Sequence, residues 1–430
     1  MIIIALAFLL GPAGKAAAKV YIDIDAPTFQ KIPVAISDFR RLSEEKLPTD
    51  EQLQWFPSEL SRLLSITGIF NILYKKSAQE DPDRTTQDFI RFGEWRITGA
   101  EYLINGRIRQ VGPELIAEFR LYDLIKGELV MGKRYAGRAE DRKIMVQRFA
   151  GDILASFTGD GSVYDSKITF VVRRGKNSEI AAVNFDGTNF TTIAKVPALA
   201  LAPKWSPDGK TIAFTSYQDR NPDLYFSSPL GGAGTRKIAG FRGINLPGSW
   251  SPDGKRLLLT LSIDGNEEIY AMTLDTGHLN RLTNHFAIDV SPSYSPDGQQ
   301  IAFVSNRGGS PQVYTMNADG SNVRRLTFEG NYNTSPSWSP KGNRIAYEGN
   351  VGGRFQIFSI DEDGMNPIQL TSDGNNESPS WSPDGRYISF SSKKDGKSRI
   401  ALMNANGTNV RILYDGQDNY ITPFWSPRLR

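Results

Sequence analysis

The sequence contains no cysteine and only two histidines among its 430 residues. The lack of cysteine excludes disulfide bonds, thiolate nucleophiles and cysteine-ligated metals, although it leaves the cellular compartment open. His278 and His285 lie in polar, turn-like stretches, and no H-E-x-x-H or EF-hand spacing is present. The sequence also lacks a G-x-S-x-G nucleophile elbow and a glycine-rich phosphate loop. We therefore predict no catalytic residue, no bound metal and no cofactor.

Long hydrophobic runs and an excess of one charge are also missing. Lys and Arg number 50 against 47 Asp and Glu, which argues against nucleic acid as a partner. The apolar run Ile2–Leu10 is too short to span a bilayer. Small residues and Ala16-Ala17-Ala18 follow it, which predicts a signal peptide over residues 1–18, cleaved before Lys19, and an exported chain without a membrane span. No positive charge precedes the run, and a buried first strand is the alternative.

A five-residue phrase recurs over much of the chain. Its first copy is Trp205-Ser206-Pro207-Asp208-Gly209, and the aromatic residue returns every 43 to 45 residues. The six aromatic positions are Trp205, Trp250, Tyr294, Trp338, Trp381 and Trp425. A repeat of this length predicts a β-propeller, with Pro, Asp and Gly forming a turn after each aromatic strand. Because Lys341 replaces the aspartate in one copy, we interpret this aspartate as a turn residue and not as a catalytic or calcium-binding group.

Each repeat contains four short segments with strand character. Ile168–Val172 reads as a second strand with no aromatic first strand before it, whereas Pro423–Pro427 reads as a first strand with no second strand after it. The C-terminal strand is therefore predicted to complete the N-terminal blade, because this closes the ring and removes a free edge. The predicted propeller is all-β and six-bladed, and it occupies residues 161–430.

Residues 19–160 show no repeat and a different pattern of apolar residues. Short alternating segments such as Ile32–Ile36 predict strands, and they alternate with three helical patterns. Thr49 and Gln52 have the spacing of a capping box at the start of the first helix. A short second helix is predicted near Thr86–Phe92 and the last one over Arg142–Phe157. The propeller is therefore preceded by a small α/β domain with a mixed sheet.

Four polar residues stand at equivalent places, each five residues before an aromatic position. They are Asn245, Asp289, Asn333 and Asn376. In a propeller they lie in the loops that lead from the fourth strand of one blade to the first strand of the next, around one mouth of the central channel. We expect exposed polar groups there to meet a ligand or a protein partner. The alternative is that Asn and Asp simply form these turns.

The repeated phrases support a family resemblance. The Trp-Ser-Pro-Asp-Gly copies, together with Ile301–Ser305 and Tyr314–Gly320, resemble the TolB family of the Tol–Pal system. The order of signal peptide, α/β domain and six-bladed propeller is similar to that family over nearly the whole chain. The resemblance implies a non-enzymatic periplasmic protein that binds the peptidoglycan-associated lipoprotein Pal at the channel mouth. It also implies a role in outer-membrane integrity and cell division.

The same resemblance assigns a partner to the mature N-terminus. The inner-membrane protein TolA contacts this segment in the family, and here its residues are Lys19, Val20, Tyr21, Ile22, Asp23 and Ile24. Their alternating pattern can add a strand to a sheet edge, and the alternative is a first strand of the α/β domain itself. Other outer-membrane proteins are further candidate partners. The loop Arg242–Leu246 lacks the histidine of the enterobacterial form.

Two other classes of function stay open on the sequence alone. An envelope hydrolase or lyase would need an acid/base pair in the channel, and Asp289 and Glu377 are the only acids expected near the mouth. A sensor or structural propeller with unrelated partners would have the same fold.

Overall fold

The computed structural model describes residues 29–42, 48–74, 92–229 and 234–429. The predicted signal peptide and the segment Lys19–Ile24 lie outside these residues. The described chain forms an N-terminal α/β domain followed by a six-bladed β-propeller, which confirms the predicted fold class.

The N-terminal domain is built on one mixed sheet. Its elements are β1 (Ile32–Ile36), β2 (Arg40–Arg41), α1 (Asp50–Ile66), β3 (Phe70–Tyr74), α2 (Phe92–Arg96), β4 (Tyr102–Val111), β5 (Glu114–Asp123), β6 (Glu128–Arg138) and α3 (Arg142–Thr158), with short 3-10 turns at Ala139–Asp141 and Ser162–Asp165. The strand order is β3-β1-β4-β5-β6, and β2 pairs with β4. Strand β1 runs parallel to β3 and β4, whereas β4, β5 and β6 form an antiparallel meander.

Helix α1 begins at the predicted capping box. The Thr49 hydroxyl accepts a hydrogen bond from the backbone N–H of Gln52 at 3.3 Å, and the Gln52 side chain accepts the Thr49 N–H at 2.8 Å. The apolar stripe of α1 and that of α3 pack on the sheet, where residues such as Leu60, Phe119 and Phe149 are buried together. This shared core holds the two helices against the sheet.

The propeller consists of six four-stranded antiparallel sheets within the described residues. Blades 1 to 5 each use one continuous segment, and the closing blade combines β30 with β7, β8 and β9. The strands are β7 (Lys167–Arg174), β8 (Asn177–Asn184), β9 (Thr191–Val196); β10 (Ala200–Trp205), β11 (Ile212–Ser216), β12 (Asp223–Ser227), β13 (Thr235–Ala239); β14 (Asn245–Trp250), β15 (Arg256–Leu261), β16 (Glu268–Thr273), β17 (Leu279–Arg281); β18 (Asp289–Tyr294), β19 (Gln300–Ser305), β20 (Gln312–Asn317), β21 (Arg324–Arg325); β22 (Asn333–Trp338), β23 (Arg344–Val351), β24 (Arg354–Asp361), β25 (Ile368–Gln369); β26 (Asn375–Trp381), β27 (Tyr387–Lys394), β28 (Lys397–Asn404), β29 (Arg411–Tyr414); and β30 (Asn419–Trp425).

Ring closure occurs as predicted. The C-terminal strand β30 pairs antiparallel with β7, and Trp425 lies opposite Ile168. The indole Nε1 of Trp425 donates to the Ser166 hydroxyl at 2.7 Å, and the ring is buried. The two ends of the propeller are therefore joined by a β-ladder and an aromatic side chain.

The repeated turn has the structural role that its recurrence predicts. In the first copy the Ser206 hydroxyl donates to Asp208 at 2.6 Å, and Asp208 accepts the backbone N–H of Lys210 at 3.0 Å. Gly209 has a φ of 70°, in the left-handed region that favours glycine. Where Lys341 stands in place of the aspartate, its backbone N–H donates to the serine hydroxyl instead. These turns lie at one end of the channel, which we call the turn face; the opposite end is the mouth face.

The N-terminal domain covers part of the turn face. Tyr164 and Phe185 pack with Tyr387 and Trp425 in a core that continues from one domain into the other. The buried Arg386 guanidinium donates to the carbonyl oxygens of residues 158 and 160 at 2.6 and 2.5 Å. The connection between the domains is thus held against the propeller and leaves the mouth face open.

Candidate functional site at the mouth of the channel

The mouth face is formed by two sets of loops. One set joins the second and third strands of each blade, and the other leads from the fourth strand of a blade to the innermost strand of the next. The four polar residues predicted at this place lie at the start of innermost strands β14, β18, β22 and β26. Their position at the mouth therefore agrees with the sequence analysis.

Their exposure does not agree, because all four side chains are buried: Asn245, Asp289, Asn333 and Asn376. The Asn245 amide donates to the carbonyl oxygens of Phe241 and Gly243 at 2.7 and 2.9 Å, and its oxygen accepts the Phe241 N–H. The expectation of exposed polar groups at these positions is wrong. A buried amide satisfies the backbone of its loop, so these residues shape the mouth from beneath.

Two of the other positions also form internal hydrogen bonds, and here an acceptor is a glutamine side chain in another strand. Asn333 donates to the Gln312 side chain at 2.8 Å, and Asn376 donates to Gln356 at 3.0 Å. Each glutamine also accepts a hydroxyl hydrogen bond from a threonine just after the fourth strand of its blade, Thr327 or Thr371. The asparagines therefore tie the innermost strand of one blade to the preceding blade and rigidify the loops above them.

The surface of the mouth carries apolar side chains that the sequence analysis did not select. Phe286 is 88% exposed and Phe328 is 71% exposed, and both lie in loops that lead to innermost strands. The Arg325 guanidinium lies 5.1 Å from the Phe328 ring centroid, and Tyr332 packs against Phe355 at 5.5 Å. Exposed aromatic groups on ordered loops are typical of protein–protein contacts. In the sequence, the aromatic residues within otherwise polar loops of the repeat could have identified this surface.

The acidic groups near the mouth are held by internal bonds. Glu348 accepts hydrogen bonds from the hydroxyls of Thr334 and Ser335 at 2.6 and 2.9 Å and from the Ser378 N–H at 2.7 Å. Burial raises the pKa of the Glu348 carboxyl, and the nearby charge of Glu377 acts in the same direction. This arrangement is a structural hydrogen-bond network that closes the channel wall.

Asp289 is also committed to a structural contact. Its carboxylate accepts a hydrogen bond from the Arg307 guanidinium at 2.7 Å, and burial raises its pKa. His285 belongs to the neighbouring loop, where its Nδ1 accepts the Ala287 N–H at 3.0 Å. Within the described ranges, no group of three or more His, Cys, Asp or Glu residues could hold a metal ion. Asp289, His285 and Glu348 are therefore engaged in contacts within the protein at this face.

Comparison with known proteins agrees with this architecture. The family described as the TolB beta propeller domain matches residues 154–429, and the TolB amino-terminal domain matches residues 20–130. The chain belongs to the TolB family. No helix in the parts of the chain described by the structure is long and apolar enough to cross a membrane.

Individual relatives show how far the similarity extends. The "Tol-Pal system protein TolB" of Syntrophus aciditrophicus is 53% identical over 230 residues, which cover 52% of this chain and 50% of that protein. The protein of the same name from Desulfosudis oleivorans is 39% identical over 248 residues, or 57% of this chain and 56% of that protein. The chain thus spans about half the length of the curated relatives it matches.

A solved structure extends the similarity to both domains. The crystal structure of TolB from Acinetobacter baumannii superposes with a TM-score of 0.80 and 27% identity. The superposition covers 93% of this chain and 97% of that one.

Proposed function

We propose that this TolB-family protein is a non-enzymatic, periplasmic scaffold of the Tol–Pal system. In this proposal its mouth face binds a Pal-like lipoprotein, and its mature N-terminus, Lys19–Ile24, binds a TolA-like inner-membrane protein. The link between the two partners would serve outer-membrane integrity and cell division. Family membership supports the system, and the signal-peptide pattern supports export.

The observation that carries the mouth-face assignment is the contrast between buried polar and exposed aromatic residues there. Polar side chains bond the loop backbone around both aromatic residues: Asn266 donates to the carbonyl oxygens of the residues before and after Phe286, and Asn333 donates to that of Glu329 beside Phe328. The N-terminal domain leaves this face uncovered. Ordered aromatic side chains lose little conformational entropy on binding, so they are effective anchors for a protein partner.

The test measures binding of the purified periplasmic domain of a Pal-like lipoprotein from the same organism. Replacing Phe286 and Phe328 together by Ser should weaken binding by roughly tenfold or more, because two exposed anchors are removed. Met365→Ser is the matched control, since Met365 is 61% exposed in a turn on the opposite face. Unchanged affinity in the double variant would contradict the mouth-face assignment. Capture of a different envelope protein would favour the sensor alternative.

A further inference from the structure

The central channel contains a cavity of about 510 Å³ that is lined by all six innermost strands. It extends toward the turn face, away from the aromatic loops of the mouth. Its wall consists almost entirely of serine, proline and aromatic residues. Among the residues that line it, Lys204 is the one with a charged side chain, and the other titratable group, Tyr294, has a pKa raised by burial and is neutral.

The residue before each aromatic position forms a ring around this cavity. The six members of the ring are Lys204, Ser249, Ser293, Ser337, Ser380 and Phe424. Three of the hydroxyl oxygens already accept a backbone N–H of the next blade: Ser249 from Tyr294 at 2.6 Å, Ser293 from Trp338 at 3.3 Å and Ser380 from Trp425 at 3.0 Å.

This use of the hydroxyl oxygens determines what the ring offers to the channel. A serine hydroxyl has one hydrogen to donate, and its oxygen has two acceptor lone pairs. The blade-to-blade bonds occupy one acceptor lone pair each of Ser249, Ser293 and Ser380, so their hydrogens remain for a group inside the channel. The ring therefore offers hydroxyl donors to a ligand beside Lys204.

Lys204 adds a positive charge to these donors. Its Nζ lies 4.4 Å from the centroid of the Phe424 ring, on the neighbouring innermost strand. It forms no ion pair with a carboxylate in the described part of the protein, and burial lowers its pKa to about 8. An ammonium group without a carboxylate partner in a cleft of low-dielectric walls attracts anions.

We propose that Lys204 and the serine hydroxyls form a binding site for a small oxyanion, either phosphate or a carboxylate. Both ligands share negatively charged oxygens that can accept several hydrogen bonds while lying beside an ammonium group. The site lies at a different level of the channel from the mouth-face loops, so it does not depend on the proposed partners.

Calorimetric titration of the full-length mature protein with inorganic phosphate and, separately, with acetate tests this site. Both titrations are made at pH 7 and constant ionic strength. Saturable binding of one or both is expected, and the stronger ligand identifies the source. Lys204→Met should weaken binding at least tenfold, whereas Lys210→Met, an exposed lysine of the same blade, should leave it unchanged.

A second measurement keeps the test decisive if the Lys204 variant does not fold. Because burial lowers the pKa of Lys204 to about 8, acetate binding to the unmodified protein should weaken several-fold between pH 7 and pH 9.5 as the ammonium loses its proton. Acetate is the probe for this measurement because its own charge is constant over this range, whereas phosphate gains negative charge. Ser293→Ala should weaken phosphate binding about threefold by removing one donor. Absence of saturable binding of both anions to the unmodified protein, or equal acetate affinity at the two pH values, would overturn the proposal.

Discussion

The two faces of the propeller are made by the same repeat, but one is covered by the N-terminal domain and the other is open. On the turn face, Arg386 and Tyr387 are buried under the N-terminal domain and bond to its backbone. On the mouth face, Phe286 and Phe328 point into solvent from loops fastened from below. A substitution that removes one of these buried contacts on the covered face should therefore lower the free energy of unfolding, and one on the open face should change binding and leave stability almost unaltered.

The largest effect is expected where the chain ends meet. Deleting residues 420–430 removes all but the first residue of β30, exposes the edge of β7 and takes away the buried Trp425 ring. Cooperative thermal unfolding should be lost, and aggregation should follow, since an unpaired edge recruits other strands. Circular dichroism melting and light scattering measure both effects.

A single substitution tests whether the loss of stability comes from opening the ring or from removing one buried aromatic side chain. Trp425→Ala should cost about 3–5 kcal/mol, as expected for removal of a buried aromatic side chain. Trp338→Ala is the matched control, because it removes the equivalent ring from a blade made of one continuous segment. An unchanged melting temperature after the deletion would show that the ring closes in another way.

The second prediction concerns the covered face alone. Arg386→Met should destabilise the protein by about 3–5 kcal/mol, because it leaves the buried Asp384 charge unpaired and two carbonyls without a donor. Lys210→Met alters the equivalent turn position in blade 1, where the side chain is exposed, and should change stability by less than about 0.5 kcal/mol. Denaturant unfolding measures both variants, and equal losses would contradict the comparison.

The pH dependence of the Arg386 variant provides an independent check. Burial raises the pKa of Asp384 above its unfolded value, and the charge of Arg386 opposes this rise, so removal of Arg386 should raise the pKa further. The stability that this group contributes is present at low pH and is lost as the pH rises through the folded pKa. The loss caused by Arg386→Met should therefore be larger at pH 7 than at pH 4.

Local chemistry explains which features were predictable from the sequence. The turn after each aromatic strand depends on Ser206, Asp208 and Gly209, which lie within four residues, so its recurrence identified the blades. The capping box of α1 is equally local, and both were confirmed. Closure was predictable because strands were counted: one blade lacked a first strand, and the chain ended with one.

Features that depend on distant contacts were not predictable in this way. Asn333 and Asn376 were expected to be exposed, because asparagine in a loop looks the same in sequence whether it is exposed or buried. Their partners, Gln312 and Gln356, lie 21 and 20 residues away in other strands. Arg386 likewise resembles Lys210 in the repeat, and only the packing of the N-terminal domain makes it different.

The third prediction asks whether the open face responds to the mature N-terminus. Removing Lys19–Ile24 should abolish binding to a TolA-like domain and shift the affinity for a Pal-like partner by about 1–3 kcal/mol, the usual range of allosteric coupling. N-terminal sequencing of the exported protein first establishes whether the mature chain begins near Lys19. Calorimetry then measures the Pal-like partner with and without the segment.

The control for this deletion is the stability of the N-terminal domain. If the segment acts as a switch, the free energy of unfolding should remain within about 0.5 kcal/mol of the unmodified protein. An unaltered Pal-type affinity together with a destabilised domain would identify Val20–Ile24 as a structural strand instead.

The smallest effect is expected for a second arginine on the covered face. Arg411 lies 5.9 Å from the Phe185 ring centroid, and neither of its terminal nitrogens has a hydrogen-bond partner among the described residues. Burial lowers its pKa to about 10, which reflects the loss of hydration of the guanidinium. Arg411→Met keeps much of the side-chain length and removes the desolvated charge. It should be neutral or stabilising by up to about 1 kcal/mol, because a buried charge without good partners opposes folding.

Arg411 and Arg386 thus separate two contributions within one interface. Arg386 donates to two backbone carbonyls and pairs with Asp384, so its removal leaves these acceptors without a donor. Removal of Arg411 leaves few acceptors without a donor, because its terminal nitrogens have no partner among the described residues. Denaturant unfolding of both Met variants measures the difference directly. A loss above about 1.5 kcal/mol for Arg411→Met would contradict the prediction that its desolvated guanidinium opposes folding, because a hydrogen bond to a charged group contributes about that much.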